Sequence, residues 1–515
     1  MRPRVRDFLR IALTFLMLIC RGRAGAEQTS DLRTPPPGPA PQLHGPAVYG
    51  VRPGHPFLYR IPCTGARPMI FSARHLPHWL HLDQQTGIVT GAAPAVAGSY
   101  AVVWQARNGQ GRDRRGFRIV VGETIGLTPQ MGWNDWYSYY ARITADDVRS
   151  AAATMISSGM ADFGYAYVDI DDCWAREPKA RDAALGGPLR DSQGNILPNA
   201  RFPDMAALTG YIHSLGLKAG IYSSPGPLTC AGFTGSYGNE QRDADQFAAW
   251  GFDLLKYDWC SYGHVAKDRS LDELEKPYLK MGGLLRTEPR DVALNLCQYG
   301  VGAVWEWGRS VGGNSWRTTG DLGLSAGDSL PAFYTIGMAN AEHSGYAGPG
   351  GWNDPDYLLI GTVGDARHSE APGRPTRLTH EEQYSYMSMW SLMAAPLIFS
   401  GQMDHLDAFT LNVLCNAEVI DVDQDALGRQ AAVTRKTAEE LVLAKPLEDG
   451  SMAVGLFNLT TRARTMGVEW AGLGRHGAQK VRDVWRQRNL GVFPQGFSAL
   501  VPAHGVMMVR VSARH

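Results

Sequence analysis

The sequence has no excess of charge of either sign. Its 515 residues include 50 lysines and arginines and 50 aspartates and glutamates, so the formal net charge is zero, and charged residues make up only 19% of the chain. A balanced chain offers no overall electrostatic basis for binding nucleic acid or an acidic membrane surface. The length exceeds one ordinary core and indicates two or three domains, one of which has the length of a barrel.

Long apolar runs are also missing, apart from one near the N-terminus. Residues 11–20 form an apolar stretch after several arginines, and Ala24-Gly-Ala26 supplies the small residues that a signal peptidase needs. A run of about ten residues is too short to span a bilayer, which disfavours a membrane anchor. Cys20 suggests a lipoprotein, but Ile19 before it is bulkier than the small residue such a site requires. We predict a signal peptide over residues 1–26 and a secreted or periplasmic protein.

Cysteine is scarce and is not spaced for metal binding. The chain contains no CxxC motif and no paired histidine cluster, so we predict neither a metal nor another cofactor. Export permits disulfides, yet the six cysteines that follow the signal peptide allow many pairings, and spacing alone does not choose among them. These six are Cys63, Cys173, Cys230, Cys260, Cys297 and Cys415.

The remaining sequence divides into three folded parts after a linker. Residues 27–45 are rich in proline and predict an extended linker. Residues 46–122 show short alternating runs with turn signals, which predict a small Ig-like β-sandwich. Trp79 in this module is either a sugar platform or a core residue, and the core interpretation is favoured. The alternation of apolar and polar residues returns over residues 425–515 and predicts a C-terminal antiparallel β-sandwich.

Residues 125–424 alternate strands with helix-like segments, which is typical of a parallel α/β domain. Eight candidate strands predict a (β/α)8 TIM barrel, whose chemistry lies at the carboxyl ends of the strands. Two helices have capping signals, Thr144 with Asp147 and Thr379 with Glu382. The candidate strands end at Trp133, Asp172, Ser224, Trp259, Gln298, Leu322, Gly361 and Gly401.

Two of these strand ends carry an aspartate beside a cation. Asp258 follows Lys256, and Asp321 follows Arg317. A carboxylate at the end of an apolar strand is costly to desolvate, which suggests chemistry or sugar binding. Glycosidic cleavage needs one carboxylate at the anomeric carbon and one acid at the leaving oxygen. Asp258 is the better nucleophile because Lys256, on the same strand face, helps to keep it ionised, and Asp321 is the better acid/base if it is partly buried facing Asp258. The alternative is a pair of ordinary salt bridges at the barrel end.

A second acidic pair, Asp171 and Asp172, lies at another strand end. Adjacent residues on a strand point to opposite faces, so both can face a ligand only if they lie just beyond the strand. Such a pair suits bidentate hydrogen bonds to neighbouring sugar hydroxyls, and the alternatives are a calcium site or a helix cap. Trp133 and Tyr222 would offer apolar faces to a sugar ring, although either fits a core position equally well.

Several motifs in one order resemble glycoside hydrolase family 27 over roughly residues 125–515. They include Gly132-Trp-Asn134, Asp169-Ile-Asp-Asp-Cys-Trp174, Lys256-Tyr-Asp258, Trp316-Arg-Thr-Thr-Gly-Asp321 and Gly351-Trp-Asn-Asp-Pro-Asp356. The resemblance implies a retaining α-galactosidase whose substrate is an oligosaccharide or polysaccharide with terminal galactose. The balanced charge predicts no nucleic-acid partner, and the oligomeric state stays open.

The same resemblance assigns residues to roles. It implies Asp258 as the nucleophile and Asp321 as the acid/base, in agreement with the assignment from their surroundings. It implies that Asp171, Asp172 and Lys256 bind the 3-, 4- and 6-hydroxyl side of the sugar and that Arg317 reaches the 2-hydroxyl. Trp133 and Tyr222 would line the pocket. Cys230 would pair with Cys260 beside the nucleophile, and no second disulfide is expected, because Cys173 and Cys297 lack the partners found in some relatives.

Two departures from the family pattern affect which sugar the protein is expected to bind. Cys297-Gln-Tyr299 stands where α-galactosidases typically have Cys-Glu-Trp, and Tyr357 stands where a methionine is expected. Gln298 can accept from a sugar hydroxyl and can also donate. Galactose stays the favoured sugar, because Gln298 is not small and both aspartates of the 171–172 pair are retained. The alternatives are an α-N-acetylgalactosaminide, a β-L-arabinopyranoside, an isomaltose-type glucoside, or a carbohydrate-binding protein without catalysis.

Overall fold

The computed structural model describes residues 31–322, 330–364 and 373–513. The predicted signal peptide, residues 1–26, lies outside the described residues. Three folded parts follow one another along the chain, in agreement with the predicted fold class. None of the helices in the described ranges has both the length and the apolarity needed to cross a membrane.

The N-terminal domain is a β-sandwich with its own core. Phe57, Trp104 and Ile119 are buried in that core, and Trp79 packs edge-on against Phe57 and Tyr100, as a core residue would. One sheet has four strands in the order Val48–Val51, Gly111–Val121, Gly98–Asn108 and Ile70–Arg74. The other has the order Pro56–Arg60, Ile88–Ala92 and Leu80–Leu82, and a small pair joins Gln42–Leu43 to Cys63–Thr64.

The central domain contains eight parallel strands, here numbered β1 to β8. In chain order the strands are Met131–Asn134, Tyr167–Asp169, Lys218–Ser223, Leu254–Tyr257, Ala293–Leu296, Ser315–Arg317, Trp352–Asp354 and Leu397–Phe399. Their hydrogen-bonded order is β7-β6-β5-β4-β3-β2-β1-β8. A parallel bridge between Leu358, four residues after β7, and Phe399 of β8 joins the two ends of this order, so the sheet closes into a barrel.

Helices alternate with the strands. Thr144 and Thr379 each form a complete capping box, with Asp147 and Glu382 respectively, as the sequence predicts. The α-helices are Trp136–Tyr139, Ala145–Ser157, Met205–Ser214, Glu240–Trp250, Leu271–Leu285, Val304–Trp307, Ala332–Ala341, His380–Leu392, Ala408–Leu414 and Ala417–Asp423. Short 3-10 helices span Tyr140–Arg142, Met160–Phe163, Tyr262–His264, Met403–His405 and Ala471–Leu473, and Thr362–Val363 pairs with Arg374–Pro375.

Three barrel strands end three or more residues earlier than the sequence predicts. β2 ends at Asp169 rather than at Asp172, β6 ends at Arg317 rather than at Leu322, and β7 ends at Asp354 rather than at Gly361. Pro355 follows β7 directly, and its missing N–H cannot continue the ladder. The acidic pair of residues 171 and 172 therefore lies just beyond its strand, which is the arrangement that lets both side chains face a ligand.

The C-terminal domain is antiparallel and packs on the barrel helix His380–Leu392. Trp485 donates to Ser388 Oγ of that helix at 2.8 Å, and Trp470 lies in the domain's own core. A six-stranded sheet has the order Ala432–Lys436, Glu440–Pro446, Met452–Asn458, Val506–Ala513, Gln479–Asp483 and Arg488–Phe493. Arg464–Glu469 pairs with Gly496–Val501 in a second sheet.

The N-terminal domain covers the face of the barrel opposite the strands' carboxyl ends. The backbone N–H of Arg52 donates to Asp291 Oδ2 at 3.0 Å, just before β5. Arg60 donates to the Leu215 carbonyl at 3.2 Å, just before β3. Because Asp291 and Leu215 precede strands rather than follow them, this domain packs against the end of the barrel where the strands begin, away from their carboxyl ends.

Candidate active site

The carboxyl ends of the barrel strands gather the residues that the sequence singled out. Each lies within a strand's last residues or in the loop directly after it, so different strands contribute to one end of the barrel. The set comprises Trp133 (β1), Asp171 and Asp172 (after β2), Tyr222 (β3), Lys256 and Asp258 (β4 and after), Gln298 (after β5), Arg317 and Asp321 (β6 and after) and Tyr357 (after β7).

Asp258 is a buried carboxylate held by three donors. It is 3% exposed. Its Oδ2 accepts from the Tyr222 hydroxyl at 3.0 Å, and its Oδ1 accepts from the Tyr299 hydroxyl and the Trp259 backbone N–H, both at 2.7 Å. Burial raises the pKa of Asp258, while Lys256 and the Tyr299 hydrogen bond oppose that rise. The donors fix the orientation of the carboxylate and favour its ionised form.

Asp321 has a different environment, because it is exposed rather than partly buried. Its side chain is 43% exposed and its Oδ1 lies 3.2 Å from Arg317 Nη1. Arg317 is itself buried and also contacts Asp356 Oδ2 at 3.1 Å. Burial raises the pKa of Asp356 to about 6, against the opposing effect of Arg317. One guanidinium therefore orients Asp321 toward solvent while it pairs with a buried carboxylate behind it.

Lys256 pairs directly with Asp171 and not with Asp258. Its Nζ lies 2.7 Å from Asp171 Oδ2, an oxygen that also accepts from Asn134 at 2.8 Å and from the Tyr357 hydroxyl at 3.0 Å. Its effect on Asp258 is therefore a longer-range Coulombic one. The arrangement leaves an ammonium and a carboxylate side by side, which suits two neighbouring sugar hydroxyls.

Asp172 is also buried, and its carboxylate accepts hydrogen bonds from backbone N–H groups. Its Oδ1 accepts from the Cys173 backbone N–H at 2.7 Å and its Oδ2 from the Ala231 N–H at 2.9 Å. Burial raises its pKa to about 7. The two neighbouring carboxylates thus differ: residue 171 pairs with a cation, whereas residue 172 is bonded only to neutral donors.

The aromatic candidates fall into two groups. Trp133 is fully buried and donates from Nε1 to the Gly401 carbonyl at 2.9 Å, so much of it serves the barrel core. Tyr222 and Tyr357 have their rings beside Lys256, whose Nζ lies 5.3 and 5.0 Å from the ring centroids. The two rings therefore contact the lysine cation, while the Tyr222 hydroxyl donates to Asp258 and the Tyr357 hydroxyl donates to Asp171.

Gln298 has one buried polar atom without a partner. Its Nε2 donates to the Val301 carbonyl at 2.6 Å, whereas its Oε1 is buried and accepts no hydrogen bond from the described residues. The residue is 2% exposed. A buried acceptor without a donor is costly, so a ligand hydroxyl reaching this oxygen would satisfy it.

A disulfide links Cys230 to Cys260, two residues after Asp258, as the family resemblance implies. The other four cysteines within the described ranges, 63, 173, 297 and 415, are buried and free. In the described part of the chain, the one group with metal-like spacing is Cys230, Asp258 and Cys260. Both of its sulfurs are already bonded to each other, so they are not available as thiolate ligands.

Three further residues, which had no role predicted from the sequence, contact the site. Tyr299 donates to Asp258, Asn134 donates to Asp171, and Asp356 binds Arg317. Asn134 and Asp356 belong to the motifs quoted above, so the sequence motifs could have identified both as site residues. Tyr299 was visible only as a departure from the family pattern.

The fold and the side chains at this end of the barrel together indicate a glycoside hydrolase. A (β/α)8 barrel has its ligand at the carboxyl ends of its strands, and here that end holds carboxylates on four strands with two buried cations. Comparison with known proteins agrees. Residues 128–425 match the Alpha galactosidase A family, residues 439–511 the Alpha galactosidase C-terminal beta sandwich domain, and residues 40–122 an Ig domain family. The chain belongs to the alpha galactosidase A family, glycoside hydrolase family 27.

Individual relatives extend this match. The alpha-galactosidase of Cyamopsis tetragonoloba is 37% identical over 407 residues, covering 77% of this chain and 89% of that protein. A melibiase-like protein of Bacteroides fragilis is 33% identical with a TM-score of 0.85, covering 94% of this chain and 100% of that one. The alfa-galactosidase of Saccharomyces cerevisiae, solved with raffinose, is 25% identical with a TM-score of 0.66, covering 75% and 98%.

Proposed function

We propose that the protein is a secreted retaining α-galactosidase that removes terminal galactose from oligosaccharides or polysaccharides. The observation that carries the proposal is the environment of Asp258, a buried carboxylate held by two tyrosine hydroxyls and a backbone N–H. Asp321 is 43% exposed and lies 3.2 Å from Arg317, so solvent reaches its carboxyl group. Double displacement requires two carboxyl groups, one as the nucleophile and one as the acid/base, and we assign these roles to Asp258 and Asp321.

In the proposed mechanism Asp258 attacks the anomeric carbon while Asp321 protonates the leaving oxygen. The covalent glycosyl-enzyme is then hydrolysed by a water that Asp321 deprotonates. Retention requires the two carboxyl groups to act from opposite sides of the sugar at roughly 5–5.5 Å separation. The donors on Asp258 hold it in one orientation, so little rearrangement precedes the attack.

Galactose recognition is assigned to the remaining polar groups. Asp171, Asp172 and Lys256 would bind the 3-, 4- and 6-hydroxyl side of the ring, Arg317 would reach toward the 2-hydroxyl, and Gln298 would accept from that hydroxyl through its unpartnered oxygen. Trp133, Tyr222 and Tyr357 would form the apolar and aromatic walls. Galactosidase activity among relatives such as the Cyamopsis protein supports this sugar.

A panel of four aryl glycosides tests the sugar. We expect the α-galactoside to be hydrolysed with the largest kcat/KM, ahead of the α-N-acetylgalactosaminide, the β-L-arabinopyranoside and the α-glucoside. Equal or greater activity on one of the other three would refute galactose as the substrate. No hydrolysis of any of them would favour a carbohydrate-binding protein without catalysis.

Two substitutions test the catalytic roles. Asp258→Ala should abolish turnover of every substrate, because the carboxylate proposed to form the covalent intermediate is removed. Asp321→Ala should spare the first step for aryl glycosides with good leaving groups, which need little protonation, so a burst of phenol followed by slow turnover is expected. Normal activity of the Asp258→Ala variant would show that the assignment is wrong.

Secretion belongs to the same proposal and rests on residues 1–26. Expression with and without this segment, followed by N-terminal sequencing of exported protein, checks it. Mature protein beginning at Glu27 outside the cytoplasm is expected.

A further inference from the structure

The N-terminal domain presents a strongly basic face to solvent. In its four-stranded sheet Arg107 lies directly opposite Arg112, and Gln105 lies between Ser72 and Arg114 on the neighbouring strands. Cross-strand partners share one face of a sheet, as do residues two apart on a strand. The exposed arginines of this face are Arg74, Arg107, Arg112, Arg114 and Arg118.

Four of these arginines line a cleft of about 700 Å³, all except Arg118. Ser72 and Gln105 lie between them and supply a hydroxyl and an amide. The one acidic residue lining the cleft is Asp113. Its carboxylate already accepts from the backbone N–H groups of Leu43 at 2.8 Å and Arg114 at 2.7 Å. The cleft therefore has a large excess of positive charge in a chain whose net charge is zero.

The side chains of these arginines have no partners among the described residues. Within the described residues none of the five forms an ion pair or a side-chain hydrogen bond, whereas arginines elsewhere on the surface pair with carboxylates, such as Arg482 with Glu418 at 2.6 Å and Arg510 with Asp449 at 2.6 Å. Like charges directly opposite each other destabilise a sheet, so the placement of Arg107 against Arg112 is unfavourable until an anion lies between them.

The residues that line the cleft indicate which class of anion it would bind. None of its lining residues, all of them described, is aromatic, so the platform on which unpaired bases stack is missing. No large apolar side chain lines it either, so nothing there would enter a bilayer. Guanidinium groups instead match planar carboxylates bidentately, and the interspersed amide and hydroxyl suit sugar hydroxyls.

We propose that this cleft binds an acidic polysaccharide through its carboxylate groups. The choice of a polysaccharide rests on the proposed function, whereas the charge of the ligand rests on the cleft alone. The domain packs on the barrel face opposite the active site, so a bound polymer would hold the enzyme on its substrate without blocking the pocket.

Binding of full-length protein to polygalacturonate, measured by isothermal titration calorimetry, tests the proposal. Arg107→Gln/Arg114→Gln is compared with Arg462→Gln/Arg488→Gln, which removes the same charge from exposed, unpaired positions of the C-terminal domain. We expect the first variant to bind at least about tenfold more weakly and the control to bind like the wild type. Binding should weaken with added salt and vanish for the fully methyl-esterified polymer.

Three results would overturn the proposal. They are unchanged binding by the cleft variant, an equal loss in the control, and tighter binding of single-stranded DNA or phosphatidylglycerol vesicles than of polygalacturonate. Hydrolysis of a small aryl α-galactoside should be equal in all variants, because the cleft is remote from the pocket. That assay reports on the proposed function separately, so failure of one claim is distinguishable from failure of the other.

Discussion

Replacing Tyr299 by phenylalanine should move the acid limb of the pH–rate profile to higher pH. The Tyr299 hydroxyl donates to Asp258 Oδ1 at 2.7 Å, and this hydrogen bond favours the ionised carboxylate. Asp258 is buried, so burial already raises its pKa, and losing a donor raises the pKa further. Because the proposed nucleophile must be ionised to attack, the variant should lose activity first at low pH.

The size of the effect follows from the kind of bond removed. A hydrogen bond to a charged group contributes about 1.5–3 kcal/mol, which is about 10- to 100-fold in the protonation equilibrium of Asp258. On the acid limb kcat/KM should fall by about that factor relative to the wild type. On the pH-independent plateau kcat/KM should change much less, because Asp258 is ionised in both proteins there. The Tyr299 hydrogen bond also weakens in the transition state, since the carboxylate loses negative charge as it bonds to the sugar.

The assay is kcat/KM on an aryl α-galactoside across the pH range, with Tyr278→Phe as the matched control. Tyr278 donates at 2.9 Å to the backbone carbonyl of Asp258 rather than to its carboxylate. Its loss should lower stability and leave the acid limb in place. An unshifted limb in Tyr299→Phe, or an equal shift in the control, would refute the reasoning.

Three further predictions concern specificity and stability. Gln298→Ala should reduce the preference for galactoside over 2-deoxygalactoside by about 5- to 100-fold in kcat/KM, because a buried acceptor is removed; an unchanged ratio would contradict this. Replacing Cys230 and Cys260 together by serine should lower the free energy of unfolding by about 3–4 kcal/mol in denaturant titrations, since the bridge closes a 30-residue separation. Lys445→Met should raise the melting temperature at pH 7, because the effect of burial exceeds the attraction of the buried Asp423 and lowers the pKa of this lysine to about 8, so its cation costs about 3 kcal/mol to bury. The exposed Lys436→Met control should show no such gain.

The lysine prediction has a defined pH dependence. The pKa of Lys445 in the folded protein lies below its unfolded value of 10.5, so the unfolded chain binds more protons between about pH 8 and 10.5. The destabilising effect of this residue is therefore largest below pH 8 and fades as the pH rises through that window. The gain from Lys445→Met should shrink accordingly above pH 8.

Much of the fold could be predicted because its signals are local. Alternation marked the two β-sandwiches, capping boxes at Thr144 and Thr379 marked helix starts, and apolar runs marked the barrel strands. The end of β7 was missed because Tyr357-Leu-Leu-Ile360 is a continuous buried run, and periodicity cannot distinguish a buried loop from a buried strand.

The candidate site was predictable as a set of residues but not as a network. The sequence shows Lys256 two residues from Asp258, yet its closest carboxylate is Asp171, 85 residues away in the chain. Such pairings depend on which strands are neighbours and on how each loop turns. The exposure of Asp321 and the donor role of Tyr299 likewise come from loop conformation, which spacing along the chain does not encode.

The position of the N-terminal domain, against the end of the barrel where the strands begin, could not be predicted either. Its strands and core were visible, but the sequence gives no sign of which barrel face it covers. The contacts of Arg52 and Arg60 with residues just before β5 and β3 determine which end of the barrel the domain covers. A polymer bound to this domain would therefore lie at the end opposite the catalytic residues.

The most direct test of the central claim is to trap the covalent intermediate. A fluorinated α-galactosyl fluoride, whose galactosyl-enzyme is hydrolysed slowly, is incubated with the protein, and the digested protein is mapped by tandem mass spectrometry. We predict one fluorogalactosyl group per chain, attached to Asp258. An adduct on Asp321 or another residue, or normal consumption of the reagent with inversion and no adduct, would contradict the assignment.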